Sequence, residues 1–299
     1  MNFPKYVLHT VSVMLALAGF CPGQSLPVKW EELTAPDFVK AIEQAQNTCI
    51  LPFGVIEKHG PHLPLNVDTI GTRHVAVSAA QQEYAVVFPE YYFSQIEEAR
   101  HQPGTIAYSS RLMWDVFQET TSEMSRNGCK KIVAVPGHGG NTNMIQYFAQ
   151  LQLESPKDYV LYVWLGNRGA APPAGRPAMH GSAEGHAGEG ETASVLDVRP
   201  DLVHQDRATQ QSGEDLARLK HLPEGLYTGI WWYARFPNHY QSSGTAAAQA
   251  TKELGAFDHK VAVQNLARVL KAVKADTVAP QLQKEFFERS GTPLKTKQQ

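Results

Sequence analysis

Apolar residues along the chain fall into two recurring patterns. Short, nearly unbroken apolar runs bounded by turn residues predict strands buried on both faces, and stretches with apolar positions three and four apart predict helices. The two alternate. Ala35-Pro-Asp-Phe-Val-Lys-Ala-Ile-Glu-Gln reads as a helix with a Pro-Asp start, and the run from Cys49 to Ile56 as a strand. A polar loop continues through Asp68, a helix is expected from Thr69 to about Gln82, and Ala85-Val-Val-Phe is a strand. An amphipathic helix from Leu112 to Arg126 stops at Asn127-Gly128, Lys131 to Val135 is a strand, Asn141 to Leu153 a helix and Tyr159 to Leu165 a strand. Between Gly166 and Gly190 ten of 25 residues are Gly or Pro, which predicts a long loop rather than regular structure. Helices resume at about Glu191 to Asp197 and Phe257 to Lys274, before a polar tail from about residue 289.

Strands and helices in alternation, with strands apolar on both faces, imply a parallel sheet covered by helices on each side: one α/β domain. With 27 Lys+Arg against 29 Asp+Glu, nothing in the charge balance draws the chain to nucleic acid.

The first 25 residues have a different character. Lys5 is followed by a mostly apolar run from Val7 to Phe20, too short and interrupted for a membrane span, and small residues follow at Gly23 and Ser25. Residues 1–25 are therefore expected to be a cleaved signal peptide, leaving a mature domain over residues 26–299, secreted or periplasmic and free of the membrane. Cys49 and Cys129 then remain. A disulfide between them is conceivable in an oxidising compartment, but two buried free thiols are the expected state.

In an open α/β sheet, ligands bind where strands lead into helices, and the chemistry-bearing residues collect there. Glu57 and His59 leave the first strand two residues apart and project to one side. Asp68 follows at a helix start, where it could equally be a helix cap. Gly137-His138-Gly-Gly-Asn141 leaves the strand ending at Val135, and lacks the Lys-Ser/Thr of a phosphate-binding loop. His186-Ala-Gly-Glu189-Gly-Glu191-Thr closes the Gly/Pro-rich loop. Imidazoles and carboxylates from three loops on one edge form a ligand set suited to Zn, Mn or Fe. His62, His101 and His180 either shape the pocket or serve as hydrogen-bonded loop residues. Trp231-Trp232-Tyr233 with Phe236 is expected in the core or a subunit contact, with a substrate-facing role as the alternative.

These segments resemble the creatininase, or creatinine amidohydrolase, family. The resemblance rests on Glu57-Lys-His-Gly-Pro-His-Leu-Pro-Leu-Asn-Val-Asp68, His101-Gln-Pro-Gly-Thr-Ile, Gly137-His-Gly-Gly-Asn141 and His186-Ala-Gly-Glu-Gly-Glu191-Thr, and fades after about Val198. It implies a three-layer αβα sandwich with a two-metal centre that hydrolyses C–N bonds of cyclic or linear amides, in a homo-oligomer, often a hexamer. Carried over, Glu57, Asp68 and His138 would hold one metal, and His59 with the shared Asp68 the second. The creatinine-hydrolysing members have a Glu where this chain has Gly140, and Glu191 is the expected replacement. They also have a Trp where this chain has Ser182, so creatinine is not the expected substrate.

Two divalent ions would lower the pKa of a shared water and polarise the substrate carbonyl. Gly139, Gly140 and Asn141 would then face the developing oxyanion, with His62 and His101 beside the substrate. His186 is the expected general acid/base, with Glu189 in reserve. The alternatives are a catalytically degenerate metal- or ligand-binding protein of the same fold and a nucleotide-binding protein using the Gly137–Asn141 turn.

Overall fold

A computed structural model describes residues 1, 26–166, 172–181 and 185–298. The signal-like stretch over residues 2–25 and Ser182 lie outside the described residues.

Four parallel strands form the sheet in the order β2-β1-β3-β4: β1 Thr48–Phe53, β2 Val86–Val87, β3 Lys131–Pro136 and β4 Val160–Val163. Side chains alternate faces along each strand. Cys49, Leu51, Phe53, Ile132 and Ala134 pack on one face against helices α1 (Ala35–Gln44), α3 (Ser110–Arg126) and α4 (Asn141–Leu151) through Ile42, Phe117, Met124, Ile145 and Phe148. Ile50, Val133 and Val135 pack on the other face against α2 (Val67–Gln82) and later Leu266 and Leu270. Each fully buried Leu, Ile or Phe contributes about 1.5–3 kcal/mol, so the double-sided core accounts for the unbroken apolar runs. The result is the αβα sandwich.

After β4 come α5 (Glu189–Val198), the short α6 (Trp231–Arg235) and α7 (Thr245–Ala248), and the long α8 (Lys252–Ala275), which packs against α2 and α5. A final helix, α9 (Val278–Ser290), fills the stretch between the helix expected to end at Lys274 and the polar tail, to which the sequence pattern assigned no element; none of its residues is buried, so no core stripe marked it. Among the described residues no helix is long and apolar enough to cross a membrane. Thr34 and Ser109 cap α1 and α3, accepting from the amides of Asp37 and Leu112.

The cysteines differ from expectation. Cys49 in β1 and Cys129 just before β3 form a disulfide, with Cα atoms 5.6 Å apart across 80 residues. The cause is register: Cys49 pairs with Ile132, so the chain entering β3 passes directly beside it.

Candidate metal centre and cleft

The site sits at the carboxyl ends of β1 and β3. Two glycines at these strand exits let the first turn of α2 pass against the sheet. A Cβ on Gly54 would lie 2.7 Å from Asp68 Cβ, and one on Gly137 2.3 Å from the Asp68 carbonyl oxygen. Helix α2 begins at Val67, two residues before the expected start, so Asp68 is not a cap but lies within the positive first turn. A backbone bond from the Glu57 amide to the Leu65 carbonyl, 3.0 Å, closes the loop that carries Glu57 and His59.

Glu57, His59, Asp68 and His138 are all buried and converge. Glu57 Oε1 is 2.7 Å from His138 Nδ1, while the two Asp68 oxygens each stand 3.6 Å from a different imidazole: Oδ1 from His59 Nε2 and Oδ2 from His138 Nδ1. Glu191 Oε2 is 3.7 Å from His59 Nε2. Glu57 Oε1, His59 Nε2 and Asp68 Oδ2 are buried without a hydrogen-bond partner, which costs about 1–3 kcal/mol each unless something fills the space between them.

Protonation tells the same story. Burial opposes charge on His59, yet Asp68, Glu57 and Glu191 raise it to about 9. Burial likewise opposes charge on His138, and Glu57 raises it well above the usual imidazole value. Burial and the adjacent carboxylates raise Asp68, and lift Glu191 to about 7. Burial would also raise Glu57, but His138 and His186 hold it well below the carboxylate range. Three carboxylates thus draw protons onto two imidazoles, where a divalent cation would supply the same charge. The donors fit Zn, Mn or Fe.

The other imidazole nitrogens are held by the protein, an arrangement that ligation of a metal would require. His59 Nδ1 donates to the Glu57 carbonyl at 3.2 Å, and His138 Nε2 lies 3.3 Å from Glu98 Oε1. Burial would raise Glu98, but the contact with His138 lowers it. Glu98 also explains Gly140: a Cβ there would lie 2.8 Å from Glu98 Oε1 and 2.5 Å from His138 Nε2. The sequence offered no motif for Glu98, which comes from a 3₁₀ turn at Glu97–Ala99.

Beside this cluster opens a cleft of about 1190 Å³, lined by Asp68, His101, His138, Gly139, Gly140, His186 and Glu191, among others. His186 Nε2 donates to the Lys58 carbonyl at 2.7 Å, and its ring lies between those of His59 and His239, at 4.3 Å from each. Burial pushes His186 well below the usual imidazole value, so it is neutral at neutral pH. Gly139 and Gly140 present bare backbone to the cleft. His101 lines it too, donating from Nε2 to the Pro237 carbonyl at 2.8 Å. Trp231, Trp232 and Tyr233 form one wall of the cleft instead of packing in the core, whereas Ala234 and Phe236 of that segment are buried.

Three expected site residues stand elsewhere. Glu189 is buried outside the cleft lining and accepts from the amides of His180 and Gly181 at 2.7 and 3.2 Å and from His180 Nδ1 at 2.8 Å. It pins the preceding loop and is not placed to exchange protons with a substrate. Asn141 is buried as well, bonding Ser94 Oγ at 2.7 Å and the Gln95 amide at 3.2 Å, which ties the start of α4 to the loop after β2. His62 bonds Thr192 Oγ1 at 2.9 Å and packs on Tyr240, fastening the Glu57 loop to α5.

A second group lies away from the cleft. Ser194 Oγ is 2.9 Å from His259 Nε2, and His259 Nδ1 is 2.8 Å from Asp197 Oδ2, with His74 alongside. Both nitrogens of His259 are engaged, and the series binds α5 to α8.

Residues 31–270 match the family model for creatininase, creatinine amidohydrolase. Creatinine amidohydrolase of Pseudomonas putida is 24% identical over 257 residues, covering 80% of this chain and 95% of that protein. The mycofactocin precursor peptide peptidase of Mycolicibacterium smegmatis is 29% identical over 176 residues, covering 57% of this chain and 65% of that protein. Among solved structures, a Zn-Zn form of a mutant creatininase shares the fold with a TM-score of 0.69 at 23% identity, covering 84% of this chain and 100% of that one. A manganese creatininase gives 0.66 at 22% identity over the same shares.

Proposed function

The chain belongs to the creatininase (creatinine amidohydrolase) family, and from that premise we propose that it is a metal-dependent amidohydrolase cleaving a C–N bond in an amide larger than creatinine. The observation that carries this is the convergence of Glu57, His59, Asp68, His138 and Glu191 around orphaned polar atoms. Glu57, Asp68 and His138 would hold one divalent ion; His59, the shared Asp68 and Glu191 would hold a second. When bound, such ions lower the pKa of water and polarise a carbonyl.

The protein's own groups supply the rest. His186 keeps its Nε2 proton on the Lys58 carbonyl, so Nδ1 is the atom that takes a proton from water and returns it to the departing nitrogen. Gly139 and Gly140 line the cleft, and their backbone N–H groups would supply donors to a developing oxyanion.

Substrate size follows from the cleft. At about 1190 Å³ it exceeds the space needed by a single small ring, lying above the roughly 300–1,000 Å³ typical of sites for drug-sized molecules. Its aromatic wall suits a linear, peptide-like amide, and the likeness to a precursor-peptide peptidase supports that choice. The test is metal analysis of the purified protein with turnover of a panel containing creatinine and short peptides, before and after chelation. Full activity in metal-free protein rejects the proposal. Bound metal without turnover of any amide favours the degenerate binding protein.

We further propose that the chain is exported. The signal-like segment and the Cys49–Cys129 disulfide, a bond at home in oxidising compartments, support this reading. A homo-oligomer, such as a hexamer, is supported by the apolar stripe Val278, Leu282 and Phe286, exposed on α9. Fractionation with N-terminal mass analysis, and light scattering on the purified protein, test these two points.

A further inference from the structure

Glu57 has two oxygens and they meet different partners. Oε1 is the buried atom without a hydrogen bond, facing His138 Nδ1 and His59 Nε2. Oε2 is in hydrogen-bond contact with Nε2 of His239, a residue 182 positions away that belongs to no sequence motif. The other nitrogen of that ring is also taken: Trp232 Nε1 lies 2.7 Å from His239 Nδ1.

An indole N–H only donates. His239 Nδ1 must therefore be the acceptor, which puts the ring proton on Nε2 and makes it the donor to Glu57. One tautomer satisfies both contacts. His239 is buried and holds a left-handed backbone at φ +50°, a conformation that costs a non-glycine residue about 1 kcal/mol or more and persists where surrounding contacts dictate it. Neither nitrogen is left to ligate an ion, although the ring lies close to the cluster.

We propose that His239 is a positioning residue for Glu57, and that Trp232 in the cleft wall sets its tautomer. His239 holds Oε2, restricts Glu57 to ligation through Oε1 alone, and connects the wall that meets the substrate to the ligand set. The inference rests on the metal-dependent reading of the site.

The test is zinc affinity of the full chain, measured by competition with a chromophoric chelator, with melting curves of the metal-free proteins as a folding control. His239→Leu is expected to weaken zinc binding by about 10–100-fold. His239→Gln, whose amide N–H can replace the ring Nε2–H, is expected to restore most of that loss. Trp232→Phe keeps an aromatic wall but removes the donor, and is expected to weaken binding several-fold. If His239→Leu does not fold, Trp232→Phe decides. Wild-type protein that binds zinc no better than these variants, or a Gln variant no better than Leu, overturns the positioning role alone. Wild-type protein that binds no zinc overturns the metal-dependent reading as well.

Discussion

His59 Nε2 stands 3.6 Å from Asp68 Oδ1 in a buried pocket, beyond hydrogen-bond length although an imidazole and a carboxylate are natural partners. Two atoms bound to one ion at about 2.1 Å lie about 3.4 Å apart in tetrahedral geometry. The gap has the size of a shared cation.

Replacement of Asp68 is therefore expected to disturb both halves of the centre. Asp68→Ala should lower zinc affinity by more than the roughly 10–100-fold typical of losing a supporting residue, and should lower the number of ions bound per chain more than Glu191→Ala does. Plasma emission analysis after dialysis measures both. Equal metal content in wild type and Asp68→Ala contradicts the sharing.

His186→Gln separates proton transfer from ligation. Loss of a general acid/base typically reduces the rate by about 10²–10⁴-fold, and metal content should stay at the wild-type level because the proposed ligand set of Glu57, His59, Asp68, His138 and Glu191 is left intact. A variant that loses metal in parallel with activity would make His186 a ligand instead.

Trp231→Ala tests the wall. Loss of one aromatic contact worth about 1.4 kcal/mol corresponds to roughly a tenfold rise in KM. kcat should change little, because Trp231 lines the cleft and reaches His186 only through the intervening Trp232 ring. Steady-state kinetics on the best peptide substrate reads this out.

His62 makes a prediction about acid stability. Burial, and then His59, lower its pKa from 6.5 to about 4. Between those values the unfolded chain binds a proton that the folded chain refuses, so this contribution is complete above about pH 6.5 and is lost as pH falls toward 4. Urea unfolding at pH 7 and pH 5 should show wild type losing about 1–2 kcal/mol more than His62→Gln over this range. Equal losses would show that His62 is not the responsible group.

Breaking the Cys49–Cys129 bond releases a loop of 80 residues. A closed loop of that length stabilises by about 4.5 kcal/mol in the chain-entropy account, with about 2–5 kcal/mol observed for native bonds. The paired Cys49→Ala, Cys129→Ala variant should lose an amount in that range by denaturant unfolding, and wild type should lose the same under strong reductant.

The sheet was legible because β1 and β3 are buried on both faces, which leaves continuous apolar runs in the sequence. Helix α9 was not, because it buries nothing and carries its apolar stripe to the surface. At the site, Glu57, His59, Asp68, His138 and Glu191 stood out because strand exits and helix starts concentrate them in three short segments. Glu98 and His239 did not: one comes from a 3₁₀ turn and the other from an irregular stretch after α6, and only the folded chain brings them to His138 and Glu57. Glu189 and Asn141 were misjudged for a related reason. A polar residue at a helix start can face the cleft or brace the adjacent loop, and linear position does not distinguish the two.

The disulfide joins β1 to the entry of β3 at one end of the sheet, and the candidate ligands Glu57, His59 and His138 follow the same two strands at the opposite end. These strands are thus fastened covalently at one end and, with ions in place, coordinately at the other. The pair forms a closed frame with little room to shear, so the distances between the reacting groups resist change as the substrate changes. Adaptation to a new amide falls instead to the Trp231–Tyr233 wall, which could diverge in shape while the frame stays fixed.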